Sequence, residues 1–242
     1  MSKMEITYWS DFICPYCYIA KQRMKNLMIE LNIMDKFEFK FLSYELEPNA
    51  PRERELNIID NYAKKYSMTT EQAKHEVDHI NKLGKSEGID FKYDTCRGGN
   101  TFKAHRLVKY IEKKGNKENT EKIINLLFDA YFTKNLLISD ENVLIDLGMK
   151  IDFTKEELEK FLYSDELSQE VRQDEENAKV KGVHGVPFFL VNKEVIIGAA
   201  SKTKMKKVLL RAISKLEENK NDEHSEGVVC DENGCYFKKK IK

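Results

Sequence analysis

Strand patterning in this chain is confined to two well-separated stretches, and that separation is what most constrains the fold. In the first stretch, residues 4–9 are β-like, with Met4, Ile6, Tyr8 and Trp9 among short polar partners, and Phe37-Glu38-Phe39-Lys40-Phe41 alternates with period two. Between them, from Pro15 to about Asn32, Tyr18, Ile19, Met24, Leu27, Met28 and Leu31 recur mostly at spacings of three and four, which predicts a helix. The result is one βαβ unit, for which a right-handed crossover is expected. The second stretch follows Gly182-Val183-His184-Gly185. There Val186-Pro187-Phe188-Phe189-Leu190-Val191 and Val195-Ile196-Ile197 flank Asn192-Lys193-Glu194, the pattern of a hairpin. A helix from about Ser201 to Leu216 comes next, with Met205, Val208, Leu209 and Ile213 on one face. The two stretches are expected to join in one α/β sheet of order βαβ–ββα.

Everything between is helical in pattern and opens at the break Pro48-Asn49-Ala50-Pro51. Thr69-x-x-Gln72 and Thr154-x-x-Glu157 read as capping boxes. Asn100 can cap a helix carrying Phe102, His105, Leu107, Val108 and Ile111, which Gly115 ends. Further helices are expected from Asn116 and from Ser139-Asp140. The expected organisation is a first sheet segment at 1–48, an all-helical insertion at 49–180, a second sheet segment at 181–217, and a polar tail at 218–242.

With 242 residues the chain can bury a proper core without disulfides. Lys+Arg and Asp+Glu balance at 41 each, so no global field attracts nucleic acid or an anionic membrane. Local basic runs such as Lys202–Lys207 and Lys238–Lys240 read as solvated surface. The opening Met1-Ser2-Lys3-Met4-Glu5-Ile6-Thr7 has no apolar core of a secretory signal, and no run reaches the ~18 apolar residues of a membrane span. A cytoplasmic location is therefore expected. Five cysteines in a reducing compartment are not expected to form a structural disulfide framework, and some of them are expected to serve chemistry instead.

Cys14-Pro15-Tyr16-Cys17 falls where the first strand ends and the first helix begins. Unpaired N–H groups and the positive end of the helix dipole point at the first sulfur there, which predicts a thiolate at Cys14 more acidic than free cysteine. Cys17, one turn on, is expected to be more buried and to resolve the mixed disulfide that Cys14 forms. Pro15 suits a first helical turn, where its missing N–H is not needed. Pro187, beginning a strand after Gly185-Val186, is a candidate cis bond. Packed against Cys14, it would leave the Val186 backbone free to pair with an extended substrate.

These residues resemble the DsbA-like branch of the thioredoxin superfamily, and in particular its cytoplasmic FrnE-type group. Ser10 to Lys21 is similar to that group's opening motif, Asn100 to Leu107 to its internal helix motif, and Val183 to Phe189 to its cis-proline loop. Cys230-Asp231-Glu232-Asn233-Gly234-Cys235 is similar to its C-terminal CX4C extension. The resemblance spans about residues 4–217. It implies a thioredoxin fold interrupted by helices, protein-disulfide oxidoreductase or isomerase activity, a role in oxidative stress, and protein substrates with cysteines. No metal or organic cofactor is implied, although glutathione, another thiol or a thioredoxin-type reductant could recycle the site. Tyr16 stands where DsbA has histidine, so DsbA's oxidising strength is not carried over.

Other residues keep two readings. Asn100 and His105 are a plain cap and a packing residue, or, as the resemblance implies, they line the site. Phe12 and Tyr16 could form an apolar rim for unfolded substrate. Lys21 could ease proton transfer at Cys17, but reads more simply as a surface lysine. Cys96 reads as an inert lone thiol. Cys230 and Cys235 form an auxiliary redox relay, a structural clip or a metal-binding pair, and the four paired cysteines could in principle hold zinc. The rival activity is that of a glutathione-dependent isomerase or transferase of the hydroxychromene-carboxylate isomerase or kappa-class type, against which an intact cysteine pair argues.

Overall fold

The computed structural model describes residues 3–223, 228–231 and 234–237, with side chains over 3–216. It opens with β1 (Met4–Ser10), α1 (Pro15–Glu30) and β2 (Phe37–Ser43), and β1 and β2 pair in parallel as the βαβ pattern requires. The helices α2 (Ile58–Tyr66), α3 (Thr70–Ser86), α4 (Phe102–Lys114), α5 (Lys117–Phe132), α6 (Glu141–Met149), α7 (Lys155–Leu162) and α8 (Ser168–Val180) follow. The chain then returns to the sheet through β3 (Phe188–Val191), β4 (Glu194–Ile197) and α9 (Lys202–Glu223). The strand order is β2-β1-β3-β4, with β3 antiparallel to both of its neighbours. The late hairpin thus docks on the earliest strand, and Tyr8 sits opposite Phe41 on one side and Phe189 on the other.

The period-two pattern sorts the two faces of this sheet. Ile6, Tyr8, Phe41 and Phe189 are buried among side chains of α1, α5 and α9, with Tyr8 stacked on Phe189 at 5.5 Å and edge-on to Phe41 at 5.6 Å. Trp9 and Phe188 face the other way, onto Ala178 and Val183, and the Trp9 indole donates to the Asp174 carbonyl at 3.1 Å. Asp174 also accepts from the Ser43 amide at 2.8 Å and pairs with Lys109 at 2.6 Å. The second face of the sheet is therefore covered by α8. α8, the last helix of the expected insertion at 49–180, thus packs on both α4 and the sheet.

The capping chemistry acts as its residues predict. Thr69–Gln72 and Thr154–Glu157 form reciprocal capping boxes, each such cap contributing about 1 kcal/mol. Asn116 and Asp140 cap α5 and α6 through their side chains. Asn100 acts one residue earlier than expected. Thr101 is the N-cap of α4 without a side-chain bond, while Asn100 Oδ1 accepts from the Phe102 amide at 2.9 Å. Beyond α9, β5 (Val228–Asp231) and β6 (Gly234–Phe237) form an antiparallel pair rather than a plain tail, and their backbone register sets Cys230 opposite Cys235. The side chains of these two cysteines lie outside the described residues.

Candidate active site

The turn Asp11-Phe12-Ile13 carries the chain from β1 into α1, closed by the Cys14 amide donating to the Asp11 carbonyl at 3.2 Å. Cys14 is the N-cap of α1 in extended conformation, Pro15 takes the first helical position, and the Cys17 amide donates to the Cys14 carbonyl at 3.1 Å. The two free thiols therefore stand one turn apart at the open end of a helix, where N–H groups lack intrahelical partners. Burial pushes the Cys17 thiol well up, and the adjacent Cys14 sulfur raises it further, while the Ser10 hydroxyl and the Asp11 backbone oppose the rise. The expected contrast in exposure is small, since Cys14 is 3% exposed and Cys17 1%. What distinguishes them is that Cys14 opens onto a cleft.

The Val186–Pro187 peptide bond is cis and leads straight into β3, the neighbour of β1. This sheet pairing brings the Val186 carbonyl to 3.6 Å from Cys14 Sγ, across 172 positions of sequence.

Below the turn lies a buried polar pair. Asp11 and His105 are fully buried, with Asp11 Oδ1 3.3 Å from His105 Nε2, and the Leu46 amide donates to Asp11 Oδ2 at 2.7 Å. Phe12 is fully buried beside them, its ring 4.9 Å from that of His105 and 5.2 Å from that of Phe128. Two expectations are corrected here. Phe12 is core and not a substrate rim, and His105 supports the turn from beneath instead of lining the cleft, because α4 and α5 close over this side of the sheet. Glu45 is close by, its carboxyl pushed up by burial and held partly down by His105 and Arg172.

The cleft beside Cys14 encloses about 170 Å³. Ile13, Tyr16 and Val186 line it from the sheet side, while Tyr62, Tyr66, Tyr93 and Tyr131 come from the helical stretch. Burial raises the Tyr62 phenol to about 12 and drives Tyr93 and Tyr131 well up. Of the residues expected to meet substrate, Tyr16 and Val186 therefore line the cleft, whereas Pro187 is not among its lining residues. Asn100 does not line it. Its amide donates to the Pro51 carbonyl at 2.9 Å and its side chain to the Pro48 carbonyl at 3.1 Å, tying down the loop at one wall.

The charged residues that follow this loop reach the cleft without any local motif to mark them. Arg54 reaches the cleft because its amide donates to the Gly98 carbonyl at 2.8 Å and the Ser139 hydroxyl bonds the Arg52 carbonyl. A Cβ on Gly99 would stand 2.2 Å from the Arg52 oxygen, so only glycine permits this approach. The Gly98-Gly99 pair beside Asn100 was the available signal.

Lys21 is also corrected. It is 2% exposed, and its ammonium meets Glu121 at 2.5 Å and Asn125 at 2.7 Å. Burial lowers its affinity for a proton, against the pull of Glu121. Cys96 is buried 3.1 Å from the Tyr131 carbonyl, and burial raises its thiol strongly. Among the described residues no group of three or more His, Cys, Asp or Glu side chains could hold a metal ion. No described helix is long and apolar enough to cross a membrane.

Comparison with known proteins agrees with this geometry. Residues 5–210 match the family model of the DsbA-like thioredoxin domain. A protein described as a probable DsbA oxidoreductase of Streptomyces coelicolor superposes with a TM-score of 0.81 at 24% identity, covering 98% of this chain and all of that one. A 2-hydroxychromene-2-carboxylate isomerase gives 0.64 at 16% identity over 90% of this chain and 98% of its own. The cytosolic disulfide reductase DsbM of Pseudomonas aeruginosa, solved with GSH, gives 0.58 at 13% identity over 90% of this chain and all of that one. At these identities the superpositions show a shared fold, whereas the family match is one of sequence over most of the chain. The chain belongs to the DsbA-like thioredoxin-domain family, whose members are thiol oxidoreductases and isomerases.

Proposed function

We propose that this protein exchanges thiols and disulfides with cysteine-containing proteins, as an oxidoreductase and isomerase, with Cys14 as nucleophile and Cys17 as resolving thiol. The observation that carries this reading is the joint placement of Cys14 at the N-terminus of α1, of Cys17 one turn later, and of the Val186 carbonyl 3.6 Å from the first sulfur. The Cys14 thiolate attacks one sulfur of a substrate disulfide, forming the mixed disulfide and expelling the other sulfur as a thiolate that takes up a proton. Cys17 then gives up its proton and attacks Cys14 Sγ, releasing the second substrate thiol and leaving the Cys14–Cys17 disulfide. Two electrons pass from the dithiol to the substrate, and in the reverse direction the protein is the oxidant. In isomerisation Cys14 acts and is then displaced by another thiol of the same substrate.

The Val186 backbone next to Pro187 is the edge on which an extended substrate segment would rest, with Tyr16 beside it. Small thiols such as glutathione fit as recycling partners, in keeping with the GSH-bound DsbM relative. A reducing, cytoplasmic setting suits this exchange. Cys230 and Cys235, opposite each other in backbone register, are assigned the relay role, to be checked with a 1–220 truncation.

The deciding experiment is to trap intermediates on Cys17→Ser. Mixed disulfides with cysteine-containing proteins should accumulate on Cys14, and Cys14→Ser should trap none and should lose insulin reduction. Insulin reduction surviving in Cys14→Ser would overturn the reading. A glutathione transferase, by contrast, would keep its activity in Cys17→Ser, because it needs no resolving thiol.

A further inference from the structure

Cys17 must lose a proton to attack Cys14 Sγ, yet it is 1% exposed and burial pushes its thiol well up. Bulk water does not reach it, so the proton needs an acceptor inside the protein. One stands beneath the redox turn. Asp11 and His105 are fully buried, and the His105 ring stacks on Phe41 at 5.7 Å, on the sheet face that also carries Ser10 and Ser43. Asp11 Oδ1 lies 3.3 Å from His105 Nε2. An ionised carboxylate only accepts, so this contact puts the imidazole proton on Nε2 and leaves the Nδ1 lone pair free. Nδ1 is buried and has no hydrogen-bond partner among the described residues. Ser10 Oγ, Ser43 Oγ and Glu45 Oε1 are buried in the same condition. Ser10 and Ser43 are direct partners across β1 and β2, the Ser10 hydroxyl bears on the Cys17 thiol, and Glu45 is near enough for the imidazole to act on its carboxyl. Polar groups gathered in this way inside a protein are bridged by buried water.

We propose that His105, fixed by Asp11, is the proton acceptor for Cys17, reached through water held between the Ser10 and Ser43 hydroxyls. The inference rests on the exchange reading above and adds the base for its second step. In that step the Cys17 proton passes to His105 Nδ1 as the Cys17 sulfur bonds Cys14 Sγ. The bond from Cys14 to the substrate breaks, and the substrate sulfur leaves with the electron pair as a thiolate that takes a proton from solvent. The imidazolium is left paired with the Asp11 carboxylate. Its proton departs by way of Glu45, which meets the partly exposed Arg172 at 2.5 Å. The other described titratable groups facing these residues are poor acceptors. Tyr8, beside Cys17, and Tyr131, beside Asp11, are phenols that burial keeps protonated. Glu121, which bears on Tyr8, is tied to Lys21, and Glu175 beyond Glu45 is tied to Arg172.

The test separates the two thiol steps in one trace. Full-length reduced protein carrying Cys96→Ala, Cys230→Ser and Cys235→Ser keeps Cys14 and Cys17 as its cysteines. It is mixed in stopped flow with dithiobis-nitrobenzoate, so that Cys14 releases one coloured thiolate on attack and Cys17 releases the second on resolution. In His105→Gln the second phase is expected to slow by at least about tenfold at neutral pH, with the first within about twofold. With the internal base gone, the second phase should also follow hydroxide, rising about tenfold per pH unit, where the parent is flatter. Asp11→Asn keeps an acceptor for the Leu46 amide but no longer fixes Nδ1 as the free nitrogen. It should slow the same phase, and it decides the matter if His105→Gln does not fold. Both phases slowed alike would show a structural role and overturn the assignment. A second phase unchanged in rate and pH dependence in either folded variant would overturn it too, leaving exchange at Cys14 intact. If the parent releases one coloured thiolate or none, the exchange reading falls and the base with it.

Discussion

Cys17 and Cys96 are two buried thiols in one molecule, at 1% and 5% exposure, and burial raises both. Their surroundings differ. Cys17 lies one helical turn from a second sulfur at the open end of α1. The Cys96 sulfur meets backbone carbonyls at 3.1 and 3.4 Å and the Asn135 amide at 3.3 Å, with no second sulfur bonded to it. Burial alone makes a cysteine inert, as it does Cys96. A redox pair needs in addition a partner sulfur within reach and an opening for substrate, and Cys14 and Cys17 in the turn after β1 have both whereas Cys96 has neither.

The largest expected effect separates the two thiols by function. Cys17→Ser should cut multiple-turnover insulin reduction by about 100-fold or more, as expected when a released intermediate becomes a trapped one. Cys96→Ala should stay within about twofold of wild type, since no step uses its sulfur. A comparable loss in both variants would break the comparison.

Alkali offers the next test. Cys17, Cys96, Tyr8, Tyr93 and Tyr131 all hold their protons more tightly folded than unfolded, with burial as the main cause. The folded state therefore binds more protons, so their contribution is complete below the unfolded thiol pKa of ~8.5 and is lost as pH rises, at about 1.4 kcal/mol per pH unit for each group. Urea unfolding between pH 8 and 10 should show a falling midpoint for the reduced protein. The fall should be shallower once the Cys14–Cys17 disulfide forms, and shallower again in Cys96→Ala. Identical slopes in reduced and oxidised protein would contradict a buried protonated Cys17.

A third effect concerns what holds the redox turn up. Asp11→Ala strips acceptors from the buried His105 and from the Leu46 amide, which should cost about 3 kcal/mol by denaturant titration. Asp11→Asn keeps an acceptor for Leu46 and should lose less. A stability change within error for Asp11→Ala would mean that the pair does not support the turn. Smallest of all, Cys96→Ala should cost only about 1–2 kcal/mol, for the small cavity and the lost sulfur contacts. A loss as great as that of Asp11→Ala would show that Cys96 does more than pack.

Much of this was legible in the residues. Cys14-Pro15-Tyr16-Cys17 sits at a strand-to-helix junction because β1 and α1 are each encoded by local periodicity, and both Thr capping boxes follow from side chains three residues apart. Phe12 and His105 were misplaced because their environment comes from α4 and α5, which local patterning does not position. Lys21 looked like surface because its partner Glu121 lies 100 positions away. The cleft wall at Arg54 was missed for the same kind of reason, since it depends on Gly98 and Gly99 meeting residues 52–54.

By itself the sequence determined the first βαβ unit, the returning hairpin and the capped helices, that two sulfurs share the first turn of a helix, and that a proline precedes the returning strand. These are consequences of spacing and backbone chemistry over a few residues. Only the tertiary structure decided that β3 docks on β1 and so brings Val186 to Cys14, that α8 covers the second sheet face, and that Arg54 and Lys65 line the cleft beside the sulfur. Those outcomes depend on contacts between residues far apart in the chain, where burial of apolar surface and pairing of the polar groups buried with it select one arrangement from many.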